Sequence, residues 1–404
     1  MVGFGPFKLV VCKPHHWAYG HLGLEILMAL ETAKRQDLPL YIIRPSKVVN
    51  KALFGLRSED VRMLMPPGWV QWLVSSSVEI ALNKNVRFPY RAARWLLRRT
   101  RRRLLGSAIA SPSARSATPY YRRELIRESV AVELRPEIKA RARAQALEAG
   151  IPDDARLVAL HVRGPGFKSI VTGVNDAQGE ALRNADIETY FEAIDHLVQE
   201  GFTIVRLGDP SMNPLERPGV VDVAAGPVRS QELEVYCLER SEFLLGCDSG
   251  PHTVANLVNT PVLLVNAIDT INSYPIREGS LYIMKHIFNR NGGNELTVEE
   301  MLADEFLRHS RDPKSYQYMD NTSEEILKAT KEMLAELRHP SQTTPLQKQY
   351  RDAVTQAVET TKSDIRYISK WGTENGFLGD GLIAQFFIEQ RNATAARTHA
   401  KGKA

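Results

Sequence analysis

Cysteine is scarce in this chain: its 404 residues include only Cys12, Cys237 and Cys247. Three cysteines without a CxxC spacing argue against a disulfide framework and a zinc site, and they favour a reducing compartment. Long hydrophobic runs are also missing, because no apolar stretch approaches the roughly 20 residues of a membrane-spanning helix. The first residues lack the basic start, apolar centre and small-residue cleavage site of a signal peptide. We therefore expect a soluble, cytoplasmic protein.

Signatures of several common enzyme classes are absent too. Gly20, Gly23 and their neighbours do not form the Gly-x-Gly-x-x-Gly fingerprint of a dinucleotide site. The chain has no Walker loop and no Gly-x-Ser-x-Gly elbow. It has no Asp-x-Asp pair and no dense His, Asp and Glu cluster at metal-ligand spacing. These absences disfavour an oxidoreductase, a P-loop enzyme and an esterase, and they predict chemistry without a metal ion or a cofactor.

Positive charge is concentrated in one stretch, although the net charge is only +5. Residues 91–103 contain seven arginines and no acid, which favours an anionic partner. A basic amphipathic helix there would lie on an anionic membrane surface. A solvated helix whose tryptophans cover the core is the plainer alternative, and nucleic acid is disfavoured because no binding motif accompanies the arginines. The candidate membrane contacts are Trp95, Arg98, Arg99 and Arg102.

Strand and helix patterns alternate twice along the chain. Apolar segments at 7–12 and 38–43 flank a helical pattern at 22–35, which predicts parallel strands with the chemistry at their carboxyl ends. The second alternation starts after a helix at 136–149, where Pro136 and Gly150 mark the two ends. It predicts strands at 157–162, 203–207 and 220–223 and helices at 187–200 and 232–240. The two alternations together predict an α/β protein with two doubly wound domains.

The predicted organisation has four parts. Residues 1–150 form a Rossmann-like domain with a basic helical insertion at about 58–125, and residues 151–310 form a second Rossmann-like domain. Residues 311–390 are helices that pack back on the first domain, and 391–404 are a disordered tail. Capping-box spacings at Thr297 and Thr322 each predict the start of a helix.

The turn Asp248-Ser249-Gly250-Pro251-His252 lies between an apolar strand and a helix. Backbone N–H groups and the positive dipole end of a helix start suit a diphosphate, and Ser249 and Gly250 permit its close approach. The alternative is an ordinary capped helix start with Asp248 or Ser249 as the N-cap. His252 is suited either to contact a phosphate or sugar hydroxyl or simply to fill a pocket.

Two further strand ends carry arginines. Arg163 follows one strand before a glycine-rich loop, and a bidentate phosphate contact or a surface salt bridge would explain it. Arg206 ends another strand and is followed by a glycine turn and Asp209. Because these strands end at the same edge of one sheet as the Asp248 turn, an anionic ligand there is favoured.

The first domain offers candidates for proton transfer. His21 follows the first strand and is suited to act as a base near neutral pH, and Glu25 lies one helical turn further on. His16 is a third candidate. A lone histidine is more often structural than catalytic, so the identity of the base stays open between these residues.

These motifs resemble known enzymes. The Asp248 turn and the following helix resemble the bacterial heptosyltransferases, and His161-Val162-Arg163 resembles the His-x-Arg element of fucosyltransferases. Across most of residues 20 to 380 the chain resembles a group of bacterial glycosyltransferases of surface-polysaccharide loci. The residues that carry this overall resemblance are Gly20-His21-Leu22, His161-Val162-Arg163, Arg183 with Tyr190, Arg206-Leu207-Gly208-Asp209, Leu245-Gly246 with Ser249-Gly250, Pro261 with Asn266, Lys285-His286, Leu296-Thr297 with Glu300, and Phe377-Leu378.

The resemblance implies a GT-B glycosyltransferase, in which two Rossmann-like domains face each other across a cleft. The second domain would hold a nucleotide-sugar donor as co-substrate, and the first a hydroxyl acceptor on a glycan, a lipid-linked sugar or a small molecule. Transfer would be metal-independent and would invert the anomeric centre. The alternatives are a nucleotide-sugar epimerase or hydrolase of the same fold, and a non-catalytic protein that binds anionic membranes or polyanions. The donor-site candidates are Arg163, Arg206, Asp209, Asp248, Ser249, Gly250 and His252.

Overall fold

The computed structural model describes residues 9–14, 18–45, 47–65, 68, 109–110, 130–166, 181–268, 270, 275–310, 312–340, 342–360 and 380–401. These residues divide into two compact α/β units, one up to Pro136 and the other from Glu137 onwards. The predictions for His16 and for the basic stretch with Trp95, Arg98, Arg99 and Arg102 lie outside the described residues.

The first unit is built on a small parallel sheet. Its strands are β1 (Val10–Cys12), β2 (Leu40–Ile42), β4 (Met63–Leu64) and β5 (Ile109–Ala110), in the order β4-β2-β1-β5. Helix α1 (Tyr19–Arg35) connects β1 to β2, as the spacing predicts. A separate antiparallel pair joins β3 (Leu56–Ser58) to β6 (Val132–Leu134), and a 3₁₀ turn at Ala52–Gly55 precedes β3.

The second unit contains a seven-stranded sheet whose strand pairs are all parallel. Its strands are β7 (Arg156–His161), β8 (Phe202–Arg206), β9 (Val220–Asp222), β10 (Ser241–Gly246), β11 (Val262–Ala267), β12 (Leu281–Met284) and β15 (Leu382–Ile383). The order is β15-β12-β11-β10-β7-β8-β9. If these strands are numbered 1 to 7 along the chain, with β7 as the first, the sheet read from its β9 edge has the order 3-2-1-4-5-6-7 of a doubly wound sheet. The direction of winding reverses between β7 and β10.

Helices alternate with these strands. They are α2 (Pro136–Glu148), α3 (Phe191–Gln199, preceded by a 3₁₀ turn at Ile187–Tyr190), α4 (Gln231–Arg240) and α5 (Gly250–Leu257). Gly150 and Gly201 follow α2 and α3 with φ of 85° and 84°, a left-handed conformation that favours glycine at helix ends. The predicted parallel α/β architecture is therefore confirmed in this unit.

The boundary between the units differs from the predicted one at 150. Helix α2 forms part of the second unit because its charged side chains pair with α4. Arg141 Nη2 lies 2.8 Å from Glu232 Oε1, and Lys139 pairs with Glu239. The proline that begins α2 thus marks the boundary more closely than the glycine that follows it.

The remaining elements also belong to the second unit. They are β13 (His286–Asn289), α6 (Val298–Leu302), α7 (Asp304–His309), β14 (Tyr316–Met319), α8 (Ser323–Arg338), α9 (Pro345–Thr360) and α10 (Gln385–Lys401). Capping boxes at Thr297 and Thr322 begin α6 and α8, as predicted. Residues 311–390 were expected to pack on the first domain. Within the second unit, α8 packs on β11 and β12, and β15 pairs with β12.

Most of the predicted disordered tail at 391–404 belongs to a helix. Helix α10 runs from Gln385 to Lys401, so it includes most of residues 391–404. Its Arg391 is buried and pairs with Glu295, and this pairing makes a polar sequence compatible with an ordered helix. Within the described residues, no helix is both long and apolar enough to cross a membrane.

Candidate functional site

The carboxyl ends of β7 and β10 are adjacent, since His161 and Gly246 are partners in the parallel register. Added to Gly246, a Cβ atom would lie 3.0 Å from the carbonyl oxygen of His161, so a side chain there would crowd the strand pair. In doubly wound sheets ligands bind outside the carboxyl ends of the strands at this reversal point. The two predicted motifs that end these strands therefore meet where such a fold binds its ligand.

His161 joins the two motifs through its side chain. Its Nδ1 lies 3.0 Å from the carbonyl oxygen of Leu207, and its Nε2 lies 3.0 Å from Ser249 Oγ. Burial lowers the pKa of His161 to about 4 against the raising effect of the Leu207 hydrogen bond, so the imidazole is neutral at pH 7. A carbonyl oxygen only accepts, so Nδ1 carries the proton and Nε2 accepts from the Ser249 hydroxyl.

Arg163 is buried beside the same junction. Its backbone N–H donates to Cys247 Sγ at 3.1 Å, and its guanidinium donates to the side-chain oxygen of Asn184. Burial raises the pKa of the Cys247 thiol to about 11, so this sulfur is an uncharged acceptor at neutral pH. The arginine predicted from its strand end is thus held at the reversal point through both its backbone and its side chain.

Arg183 is a further cation at this site, and it was not among the predicted donor-site residues. Its Nε donates to the carbonyl oxygen of Asp248 at 2.7 Å, and its Nη2 lies 3.6 Å from Asp248 Oδ1. The guanidinium is partly exposed, with 24% of the side chain accessible. Arg183 does not follow any of the strands predicted from the sequence, which explains why strand-end reasoning missed it. Its appearance among the residues of the family resemblance was the available signal.

Arg206 reaches a different environment from the one predicted. Its Nη1 donates to Asp222 Oδ2 at 2.8 Å and to the carbonyl oxygen of Asn213 at 2.7 Å. Its charge is therefore balanced inside the protein by a buried ion pair. Asp209 accepts hydrogen bonds from the backbone and hydroxyl of Ser211, which fixes the turn after β8. Both residues shape this strand end, where Arg206 meets a carboxylate as Arg183 does at Asp248.

Helix α5 begins immediately after the β10 strand. Ser249 occupies its N-cap position, but the side chain makes no capping hydrogen bond because its hydroxyl is engaged with His161. Pro251 lies in the first turn, and Gly250 and His252 are half-buried. The positive end of the α5 dipole thus points towards the junction of β7 and β10, as an anion site requires.

A cavity of about 170 Å³ lies at the neighbouring strand ends. It is lined by Leu207 and Gly208 after β8, by Val223 after β9, and by the start of α4 with Gln231 and Glu234. Small-molecule sites commonly measure roughly 300–1,000 Å³. This cavity is therefore smaller than a typical site for a whole ligand.

In the first unit, the two described base candidates both lie on α1. His21 is exposed near the start of the helix, whereas Glu25 is only 2% exposed. A spacing of four residues places the two side chains on one face of the helix. Across the described part of the chain, no group of three or more His, Cys, Asp or Glu side chains is arranged to hold a metal ion.

No protein-family model and no curated protein matches this chain. Solved glycosyltransferase structures do match it. The glycosyl transferase family 9 protein of Veillonella parvula has a TM-score of 0.37 and 13% identity, over 65% of this chain and 81% of that one. The ADP-heptose LPS heptosyltransferase II of E. coli has a TM-score of 0.46 and 11% identity, over 82% and 99%.

A third matching structure is the NodZ α-1,6-fucosyltransferase from Bradyrhizobium, soaked with GDP-fucose. Its TM-score is 0.31 with 15% identity, over 63% of this chain and 94% of that one. Heptosyltransferases and fucosyltransferases are also the two groups that the sequence motifs resemble.

Proposed function

We propose that this chain is a glycosyltransferase that moves a sugar from a nucleotide-sugar donor to a hydroxyl acceptor. The observation that carries the proposal is the meeting of Arg163, Arg183 and the N-terminus of α5 at the reversal point of the second unit's sheet. Two guanidinium groups and a helix dipole favour a ligand with more than one negative charge. The diphosphate of a nucleotide-sugar is such a ligand.

The same groups suit the transfer reaction. The acceptor oxygen forms a bond to the anomeric carbon while the bond from that carbon to the diphosphate oxygen breaks, and the nucleoside diphosphate leaves with the electron pair. Negative charge develops on the leaving oxygen, where pre-oriented donors stabilise the transition state most effectively. We assign this role to Arg163, Arg183 and the amides of α5, so the mechanism assigns no step to a metal ion. Direct displacement of this kind inverts the anomeric centre.

The nucleoside part of the donor is assigned to the cavity at the ends of β8 and β9. Its volume of about 170 Å³ suits part of a nucleotide, and its lining includes the polar side chains of Gln231 and Glu234. The acceptor proton is assigned to His21 or Glu25 of α1, with His16 as the third candidate. Histidine is the usual general base at neutral pH, and His21 is exposed whereas Glu25 is buried, which favours His21.

The membrane contact through Trp95, Arg98, Arg99 and Arg102 stays a proposal. So does the nature of the acceptor as a glycan, a lipid-linked sugar or a small molecule. Sedimentation with anionic vesicles after replacement of the three arginines tests the contact. Unchanged sedimentation would contradict it.

Calorimetric titration with ADP, GDP, UDP and the corresponding nucleosides tests donor binding. We expect at least one diphosphate to bind the wild type, and Arg163→Ala and Arg183→Ala to weaken it about 10- to 100-fold, the usual effect of losing a hydrogen bond to a charged group. The matched control is Arg156→Ala, because Arg156 pairs with Glu242 at the opposite end of the same strands. Binding of no diphosphate by the wild type would contradict the proposal.

Product analysis separates the transferase from its alternatives. A transferase needs the acceptor and retains turnover in EDTA, whereas an epimerase or hydrolase converts the nucleotide-sugar without an acceptor. Turnover that survives in both His21→Ala and Glu25→Gln would remove both residues from the role of base.

A further inference from the structure

The segment 183–186 carries Arg183 and is tied to the sheet at successive residues. At its start, Arg183 donates to the carbonyl oxygen of Asp248. The side chain of Asn184 accepts from Arg163, and the Ala185 N–H donates to the carbonyl oxygen of Arg163 at 3.2 Å. The two arginines of the proposed donor site are therefore linked through this one segment.

Two residues from outside the site hold the backbone of the same segment. Lys285, which follows β12, donates through Nζ to the carbonyl oxygen of Asn184 at 2.7 Å. Asp320 accepts from the N–H of Asp186 at 2.8 Å through Oδ2. Lys285 Nζ and Asp320 Oδ1 are 2.6 Å apart, so this ion pair bonds the backbone of the segment at both Asn184 and Asp186.

The burial of Lys285 in this pair needs an explanation beyond stability. Lys285 is only 4% exposed, and removing an ammonium group from water is costly. Apolar residues of similar size commonly replace buried ion pairs without loss of stability. What apolar residues would not supply is the pair of hydrogen bonds that fixes the backbone at Asn184 and Asp186.

We propose that Lys285 and Asp320 are positioning residues that hold Arg183 and Arg163 in place for a diphosphate before it binds. This inference rests on the proposed function. An arginine side chain loses rotamer freedom when it clamps an anion, and a site ordered beforehand avoids that loss during binding. Without Lys285, the segment 183–186 is no longer held to the end of β12. The arginines then lose part of their conformational freedom only when the ligand binds, which weakens the affinity.

The test measures the dissociation constants of inorganic pyrophosphate and of the tightest nucleoside diphosphate for Lys285→Met and Asp320→Asn. We expect both variants to bind both probes about tenfold more weakly, with unchanged affinity for the nucleoside. Asparagine keeps an oxygen for the Asp186 N–H and removes the charge, so Asp320→Asn carries the test if Lys285→Met fails to fold. Arg156→Ala is the control, and its affinities should equal those of the wild type.

A double-mutant cycle distinguishes positioning from a general structural effect. If Lys285 acts through the two arginines, then Lys285→Met should weaken pyrophosphate binding by a smaller factor in an Arg183→Ala background than in the wild type. Additive losses, equal losses for the nucleoside, or unchanged binding in Asp320→Asn would each overturn the inference. Failure of the wild type to bind any diphosphate would overturn the proposed function itself, and this inference with it.

Discussion

His161 shows how one buried side chain can set the polarity of its neighbour. Because the Leu207 carbonyl fixes the proton on Nδ1, the Ser249 hydroxyl donates to Nε2 and has only lone pairs left for a ligand. A phosphate oxygen offers no hydrogen to such a group, whereas a sugar hydroxyl does. We therefore expect the phosphate contacts to come from Arg163, Arg183 and the α5 amides, and Ser249 to accept from a hydroxyl.

The pKa of His161 predicts a loss of stability in mild acid. The folded protein holds this histidine neutral down to about pH 4, whereas the unfolded chain takes up the proton below about 6.5. Stability is therefore lost as the pH falls, by about 2 kcal/mol between pH 7.5 and 5. Because other groups, His286 among them, also titrate in this range, the measured quantity is a difference: between pH 7.5 and 5 the free energy of unfolding in urea should fall by about 2 kcal/mol more in the wild type than in His161→Gln. Exposed His309 supplies the control, since His309→Gln should keep the wild-type difference.

At the residue scale, the sequence was informative where strand ends and motifs coincide. Arg163, Ser249 and the start of α5 could be placed because each follows a predicted strand at the same sheet edge. Arg206 also ends a strand, but its pairing with Asp222 arises between two strands and has no local signal. Arg183 reaches the site only because tertiary bonds fold its segment against Asp248.

At the scale of elements, a charged cluster fixes the last helix. His286 lies at the start of β13. Its Nδ1 is 2.6 Å from Glu295 Oε1, and its Nε2 is 2.8 Å from Glu325 Oε2. Arg391 of α10 pairs with the same Glu295. Two carboxylates thus balance two cations, and this balance joins β13, α8 and α10.

The ionisation of this cluster predicts a loss of stability in alkali. Burial favours neutral His286, but the hydrogen bonds with Glu295 and Glu325 outweigh it and raise the pKa to about 9. The contribution of the charged imidazole is fully present below about pH 6.5 and disappears as the pH rises through 9. His286→Gln should lower the free energy of unfolding at pH 6 by about 2 kcal/mol, allowing for solvent screening, and by much less at pH 10.

Chemical denaturation at the two pH values checks this prediction, with His309→Gln as the matched variant. A loss of the same size at pH 10 would show that His286 acts through packing alone. Glu325 behaves in the opposite sense. Burial opposes its ionisation, but the hydrogen bond with His286 lowers its pKa to about 2, so its contribution is lost only as the pH falls below about 4.5.

At the scale of the whole molecule, the order of the strands decides where a ligand can bind. The sheet reverses its winding between β7 and β10, so the chain segments that follow these strands separate and leave room between them. Both segments belong to the second unit. The proposed donor site is therefore complete in its phosphate-binding part within that unit.

Hydrogen exchange tests whether the donor binds within the second unit. With a bound nucleoside diphosphate, we expect the largest slowing of amide exchange at residues 161–163, 183–186 and 247–253, because a ligand protects the backbone that it contacts. Arg163→Ala with the same nucleotide should lose most of the slowing. Protection concentrated in α1 and β1 of the first unit would place the nucleotide elsewhere and contradict the assignment.

The sequence by itself determined the parallel α/β class, most helix and strand positions, the capping boxes and the motif residues at the ends of β7 and β10. These features depend on local periodicity, turn residues and the alternation of strands with helices, which neighbouring residues encode. Only the tertiary structure decided the unit boundary at Pro136, the ordered α10, the pairing of Arg206, and the link from Lys285 through Asn184 to the arginines. Each depends on a contact between residues distant in the chain, whose free energy exists only once the sheet has brought them together.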